Sequence, residues 1–566
     1  MRGAFGVVAA LLAVAALSSP GRAAEQPRYG GTLVVGVNSD PEVLNPGITT
    51  SIPSHRVLDS VFNGLIAHDF AFTPVPDLAT SWTVAPDGRS YTFQLAEARW
   101  HDGQPVTSED VKWTFEAVLL KFSSRTRTSL GANLAGVDTP SERTVVFRLK
   151  EPYAPFLKLI DVVNAPILPK HRYAGVADIT KASANDEPVG TGPYRLKEWV
   201  KGDHVTLVKN EDYFKRGRPY LDRIVFKVIP DQAAATLAFE RGEIDYLQAV
   251  AGNDLERLRA LPGVVVTNKG REGFAGVQYL IPNLAHPALA RLPVRQGIAY
   301  ALDRTAILER AYQGQGRVAT GPISSELSWA YSPNVTRYER DVVRANALLD
   351  GAGLARDREG VRLRLSLIYD ASWNKVADLV ADELKDVGVA LDRKVMERNA
   401  WIDLVYVKKQ FELAFTSFEN GPDPDIGVKR VFVSSNIASV PFSNAAGYRN
   451  PRVDELFAVA AGEQDQGKRA AAYAEIQEIV VREAPYFYLT ETGGAVAFRS
   501  EFVGLHSWSS KSTLYFADTT WWAKAPSATG LPTETPQAPP LAVVLAAAAA
   551  VALLAVALSR RLTRRS

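Results

Sequence analysis

The chain has 566 residues, 46% of them hydrophobic and 22% charged, with no cysteine and a formal net charge of +2. These values exclude disulfides, a thiolate nucleophile, cysteine-based metal sites and lipid attachment through an N-terminal cysteine. They also leave no electrostatic footprint for nucleic acid, and the length exceeds what one hydrophobic core supports, so two or three lobes are expected.

The N-terminus opens with Met1 and Arg2 and continues as the apolar run AFGVVAALLAVAAL, closed by Ser18, Ser19 and Pro20. A short basic start, an apolar stretch and a small-residue site describe a secretory signal peptide, residues 1–23, cleaved before Ala24. The run GGTLVVGV reads as a strand closed by turn residues. Arg89–Leu95 alternates as a second strand, with a hairpin turn at Asp87-Gly88 ahead of it. Thr107 with Asp110 forms a capping box that opens a helix carrying Val111, Phe115, Val118 and Leu119 on one face. Gly192-Pro193 is a turn into a strand. Pro293 starts a helix with Val294, Ile298, Ala301 and Leu302, and a further helix runs from about Asp341 to Asp350. Val361–Ile368 alternates as a strand. A helix follows with Val376, Leu379, Val380, Leu384 and Val387 along its apolar side, then a strand at Phe411–Phe415. This βα rhythm favours α/β lobes with mixed sheets. Ala525 to Pro540 is proline-rich and reads as a semi-extended stalk. Leu541 to Leu558 has no polar side chain and reaches the length of a transmembrane helix. Arg560, Arg561, Arg564 and Arg565 then place residues 559–566 on the cytoplasmic side.

Catalytic patterns are missing. There is no Gly-x-Ser-x-Gly elbow or His-Glu-x-x-His, and Ser372-Trp373-Asn374-Lys375 lacks the companion motifs of a penicillin-recognising site. His55, His68, His101, His171, His204, His286 and His506 show no i, i+4 pair, so no protein-built metal site and no cofactor are expected. His101 reads as a loop residue, and Trp100, Trp113 and Trp199 as core.

Function becomes readable through phrases taken together. YGGTLVVGVNSDPEVLNP and VPDLATSWTVAPDGRSYTFQLAEARWHDGQPVTSEDVKWTFE come first, followed by GTGPYRLKEW, NEDYF, PYLDRIVFKVIPD, FERGEIDYL and VRQGIAYALDR. ANALLDGAGL, GPDPD and GYRNPRVDELF complete a series from about Tyr29 to Tyr515. In this order they resemble the bacterial family 5 extracellular solute-binding proteins, which serve ABC importers of oligopeptides, dipeptides and nickel chelates.

The resemblance implies a type II-like, two-lobed α/β periplasmic-binding-protein fold with an extra subdomain in lobe one, to which the C-terminal helix is added. Lobe one would cover 24–270 with a return at 500–524, and lobe two 271–499. The solute would be a peptide or peptide-like molecule held between hinged lobes. A monomer without enzymatic activity would deliver it to a permease and its ATPase outside the cytoplasm, anchored in the membrane by its C-terminal helix. A membrane-anchored sensor, or a binder of a chelate or other non-peptide solute, is the alternative. Family members place an acidic residue a few positions before a DP pair in lobe two, where it meets the ligand's ammonium. Here that position falls on Asn420, with Glu419 beside it as the acidic alternative and Phe418 as the preceding aromatic. Trp401, Ser51 and Ile52 match further pocket positions. An amide in place of the carboxylate implies weaker selectivity for free amines.

Overall fold

In a computed structural model of the chain, residues 26–69, 72–269, 276–505 and 519–522 are described. The signal peptide, the stalk, the apolar span and the basic tail lie outside these residues. Among the described residues no helix is long and apolar enough to cross a membrane.

The run GGTLVVGV becomes the strand Thr32–Val37, at the centre of a seven-stranded sheet. It lies parallel to Arg223–Val228 on one side and to Tyr246–Val250 on the other, and both of its faces are covered. This explains its nearly continuous Val/Leu character, since a parallel strand buried on two faces has no polar side. The sheet defines lobe one. A four-stranded antiparallel sheet, Ala79–Val84, Ser90–Leu95, Thr144–Leu149 and Leu134–Ser141, forms the inserted subdomain around its own core. The hairpin turn holds, with Gly88 at φ 66°. The capping box also forms, Asp110 accepting from the Thr107 amide at 2.9 Å. The helix it opens runs Ser108–Trp113 and then widens into a π-helical stretch, Thr114–Leu119.

Lobe two is a six-stranded sheet in the order Gly316–Val318, Phe487–Thr492, Gly276–Pro282, Leu413–Glu419, Leu363–Asp370, Val389–Met396. Alternate residues of Gly276–Pro282 divide between two cores, Val277, Tyr279 and Ile281 on one face and Leu280 on the other, the period-2 signature of a sheet covered on both sides. Helices fall where the apolar spacing puts them, at Leu292–Ala301, Val342–Gly351 and Asn374–Asp386. The expected strands Val361–Ile368 and Phe411–Phe415 each begin two residues later, as Leu363–Asp370 and Leu413–Glu419.

One boundary needs correction. The return to lobe one does not wait for residue 500: Ala495–Arg499 already pairs with Tyr246–Val250 and Val264–Thr267 in the lobe-one sheet. Only Gly493 and Gly494 separate it from the last long strand of lobe two. A Cβ on Gly493 would stand 2.4 Å from the Gly316 nitrogen, so the crossing needs glycine there.

Candidate functional site

Four strand ends of lobe two meet on the side facing lobe one. Gly276 opposes Glu419, Val277 opposes Glu491, and Gly316 opposes Thr492. The rim is therefore built from the end of Leu413–Glu419, the loop after it, and the loop 322–326.

Asn420 stands at the end of its strand, 1% exposed. Its Oδ1 accepts from the Ser324 amide at 2.5 Å and its Nδ2 donates to the Pro322 carbonyl at 2.9 Å. The amide is thus engaged on both ends by one loop. Ser324 continues the connection: its Oγ donates to Glu491 at 2.9 Å, and the Ser325 amide and hydroxyl donate to the same carboxylate at 3.0 and 2.8 Å. Glu419 is half-buried, and its charge acts on Arg430, whose pKa burial holds below the ordinary guanidinium range. Phe418 is buried edge-on to Tyr279, with the Arg430 guanidinium 5.1 Å over its ring. Trp401 shares that core cluster, buried edge-on to Tyr406, and its indole Nε1 has no hydrogen-bond partner among the described residues. Phe418 and Trp401 therefore come together as parts of one core.

Ser51 and Ile52 begin the short helix Ile52–Leu58 of lobe one. Ser51 Oγ is buried without a hydrogen-bond partner among the described residues, and Ile52 is 38% exposed. No hydrogen bond among the described residues links either of them to the lobe-two rim. His101 is a loop residue as expected, its Nε2 2.9 Å from the Gly192 carbonyl, and burial lowers its pKa to about 4.

The partners of the acidic residues just past Asn420 could not be read from the sequence. Asp423 is fully buried. Its Oδ1 accepts from Arg469 at 2.8 Å, from the Tyr473 hydroxyl at 3.0 Å and from the Asp425 amide at 3.1 Å, while Arg469 also reaches Oδ2 at 2.8 Å. The helix Gln466–Glu483 supplies both partners from one face, since residues four apart share a side. The inserted subdomain reaches the same place. Lys158 donates to the Pro422 carbonyl at 3.1 Å and stands 3.7 Å from Asp423 Oδ2, and the Tyr153 hydroxyl donates to Asp425 at 2.9 Å. Lys429 covers the other Asp425 oxygen at 2.8 Å. Burial pushes the Lys158 pKa down to about 8 and raises that of Asp425. Apolar contacts extend this seam: Ile426 packs on the subdomain core and Phe72 on the lobe-two core.

A cavity of about 270 Å³ opens beside the crossing segments, between Arg259 and Asn268 of lobe one and Gln315, Arg317, Glu326 and Glu491 of lobe two. None of the six residues named from the sequence lines it. Among the described residues no group of three or more His, Asp or Glu side chains is arranged to hold a metal.

Residues 73–439 match the family model described as "Bacterial extracellular solute-binding proteins, family 5 Middle". An Escherichia coli K12 protein named "Probable D,D-dipeptide-binding periplasmic protein DdpA" is 28% identical over 490 residues, covering 83% of this chain and 90% of that one. Among solved structures, Helicobacter pylori DppA in complex with the peptide STSA has a TM-score of 0.72 at 25% identity, covering 88% of this chain and 99% of that one. Bacillus subtilis AppA in complex with a nonapeptide has a TM-score of 0.70 at 26% identity, covering 88% and 100%.

Proposed function

The chain belongs to the bacterial extracellular solute-binding proteins of family 5, substrate-binding components of ABC importers, and we propose that its solute is a peptide or peptide-like molecule held between the two lobes. The observation that carries this reading is the rim of lobe two. Four strand ends and the loop 322–326 converge there opposite lobe one, with a cavity of about 270 Å³ beside them at the lobe interface, the usual place for a small-molecule pocket. Peptide complexes of two relatives of the same fold support the solute class.

In this reading Glu419 supplies the negative charge toward the solute's amine. Asn420 shapes the rim, and Phe418 and Trp401 stiffen it from behind. Ser51 and Ile52 approach from lobe one as the lobes close by hinge motion. A cleaved N-terminal signal peptide exports the chain, and the span Leu541 to Leu558 anchors it so that a permease can receive the solute. As in the family of substrate-binding proteins it belongs to, the chain in this reading delivers its solute unchanged.

Native mass spectrometry of the purified full chain, incubated with an equimolar library of di- to hexapeptides, tests the solute class. One retained peptide per chain, with a smaller radius of gyration by X-ray scattering, is the expected result. Failure to retain any peptide from the library would overturn the peptide assignment.

A further inference from the structure

The segment between Glu419 and Val428 carries two things at once: the rim residues Glu419 and Asn420, and the acidic residues Asp423 and Asp425 that receive the inserted subdomain. We propose that Asp423 is a positioning residue, coupling the docking of the inserted subdomain to the shape of the lobe-two rim. The coupling rests on the reading that solute is held between the lobes, and it identifies the part of that cleft that senses closure.

Asp423 is held from three directions. Within its own segment it caps the short helix Pro424–Gly427, accepting from the Asp425 amide. From lobe two it takes both guanidinium nitrogens of Arg469 and the Tyr473 hydroxyl. From lobe one it faces Lys158. The short helix in turn fixes the rim, because Gly427 lies directly against it: a Cβ there would stand 2.0 Å from the Asn420 carbonyl oxygen and 2.5 Å from that of Glu419. Asn420 passes the constraint to the loop 322–324, and Ser324 passes it to Glu491. A contiguous set of packed and hydrogen-bonded groups therefore runs from the subdomain to the rim, the physical requirement for coupling.

The charges show why Asp423 is central. Lys158 and Arg469 share its single carboxylate, and both cations also lie over the Trp329 ring, at 4.3 and 5.2 Å. Arg469 has the better geometry, and Lys158 stands beyond hydrogen-bond reach of the carboxylate. The Lys158 ammonium is thus a surplus buried cation, with the Asp423 carboxylate as its neighbouring counter-charge. Removing the Asp423 charge leaves Lys158 and Arg469 facing each other across the seam without their shared counter-charge, which weakens the docking of the subdomain. The remaining charged and titratable groups at this seam, among the described residues, are Asp425, Lys429, Tyr91, Tyr153 and Tyr473.

The test follows amide hydrogen exchange of residues 421–428 in the purified full chain without added solute, so its outcome is independent of which solute binds. Asp423→Asn should speed this exchange roughly tenfold or more. Adding Lys158→Met, a change in lobe one, should recover at least about half of that effect on a logarithmic scale, because it removes the cation left without a counter-charge. Lys158→Met alone should leave exchange at or below the wild-type rate. An unchanged rate in Asp423→Asn, or an effect of the same size with and without Lys158→Met, overturns the proposal. If Asp423→Asn does not fold, Tyr153→Phe carries the test: faster exchange at 425–428 with no change in Leu363–Asp370 supports the coupling, and unchanged exchange at 425–428 refutes it.

Discussion

Asn420→Asp should destabilise this protein in a strongly pH-dependent way. In the wild type the Asn420 Nδ2 donates to the Pro322 carbonyl at 2.9 Å, at a site only 1% exposed. An ionised Asp there has no donor and faces that carbonyl with a negative charge. Leaving the carbonyl unsatisfied costs about 1–3 kcal/mol, and the unpaired buried carboxylate adds several more. The alternative is to take up a proton, which keeps the hydrogen bond through the acid O–H. Protonation of a carboxyl of ordinary pKa near 3.9 costs about 1.4 kcal/mol per pH unit above that value. The expected loss is therefore small near pH 4, about 2 kcal/mol at pH 5.5, and about 4–5 kcal/mol at pH 7.5 unless the ionised form is cheaper. The sign follows from linkage: the new carboxyl has a folded pKa raised above its unfolded value, so stability is retained below the unfolded pKa and lost as pH rises. Urea unfolding of wild type and variant between pH 4 and 8 reads the difference. A variant within about 0.5 kcal/mol of wild type, with no pH trend, would show that residue 420 turns freely toward the cleft and that the lock to the loop 322–324 is not real.

Gly427→Ala places a methyl group 2.0 Å from the Asn420 carbonyl oxygen and should cost about 1–3 kcal/mol with weakened solute binding. Gly462→Ala, at a helix end with nothing within 4 Å, should be neutral or stabilising in the same thermal-unfolding assay. Glu383, which accepts from the Asp303 amide at 2.9 Å, has its pKa raised to about 7 by burial. Its contribution is therefore greatest below the ordinary carboxyl range and is lost as pH rises toward 7, and Glu383→Gln should flatten that part of the stability profile measured by denaturant titration. For the exported and anchored topology, protease added to spheroplasts should remove about 500 residues and spare a C-terminal tag, whereas a cleaved tag with a protected domain would reverse the orientation.

The parts of the fold that could be read from the sequence are those set by local periodicity. The apolar faces of Leu292–Ala301 and Asn374–Asp386, and the cap at Thr107, depend on residues within a few positions of one another, and they form where the spacing puts them. Strand positions drifted by two residues in Leu363–Asp370 and Leu413–Glu419, because alternation identifies a face but not the residue at which pairing starts. The strand Ala495–Arg499 was missed as a lobe-one element for a stronger reason. Its partners Tyr246–Val250 and Val264–Thr267 lie more than 200 positions earlier in the chain, and no local pattern encodes that pairing. The Asp423 cluster was hidden in the same way. The GPDPD phrase marked the place, but the carboxylate's meaning depends on Lys158, Arg469 and Tyr473, which only the folded chain brings to it.

The structure gives a physical reason for the amide at Asn420. A side chain that must accept from the Ser324 amide and donate to the Pro322 carbonyl needs an acceptor and a donor on one short fork. Asparagine offers both at neutral pH, and a carboxylate offers only acceptors. An amide here is thus what the loop 322–326 demands, rather than only the loss of a charge toward the solute. That loop is in turn held by Glu491 through Ser324 and Ser325. A free-amine preference, if the solute has one, then depends on Glu419, the adjacent carboxylate that Arg430 already attracts. Glu419→Gln should therefore weaken binding of a retained free-amine peptide while leaving binding of its N-acetylated form unchanged, as measured by calorimetry. Equal losses for both forms would mean that Glu419 holds the rim together, as Asn420 does, and that the solute's amine is met elsewhere.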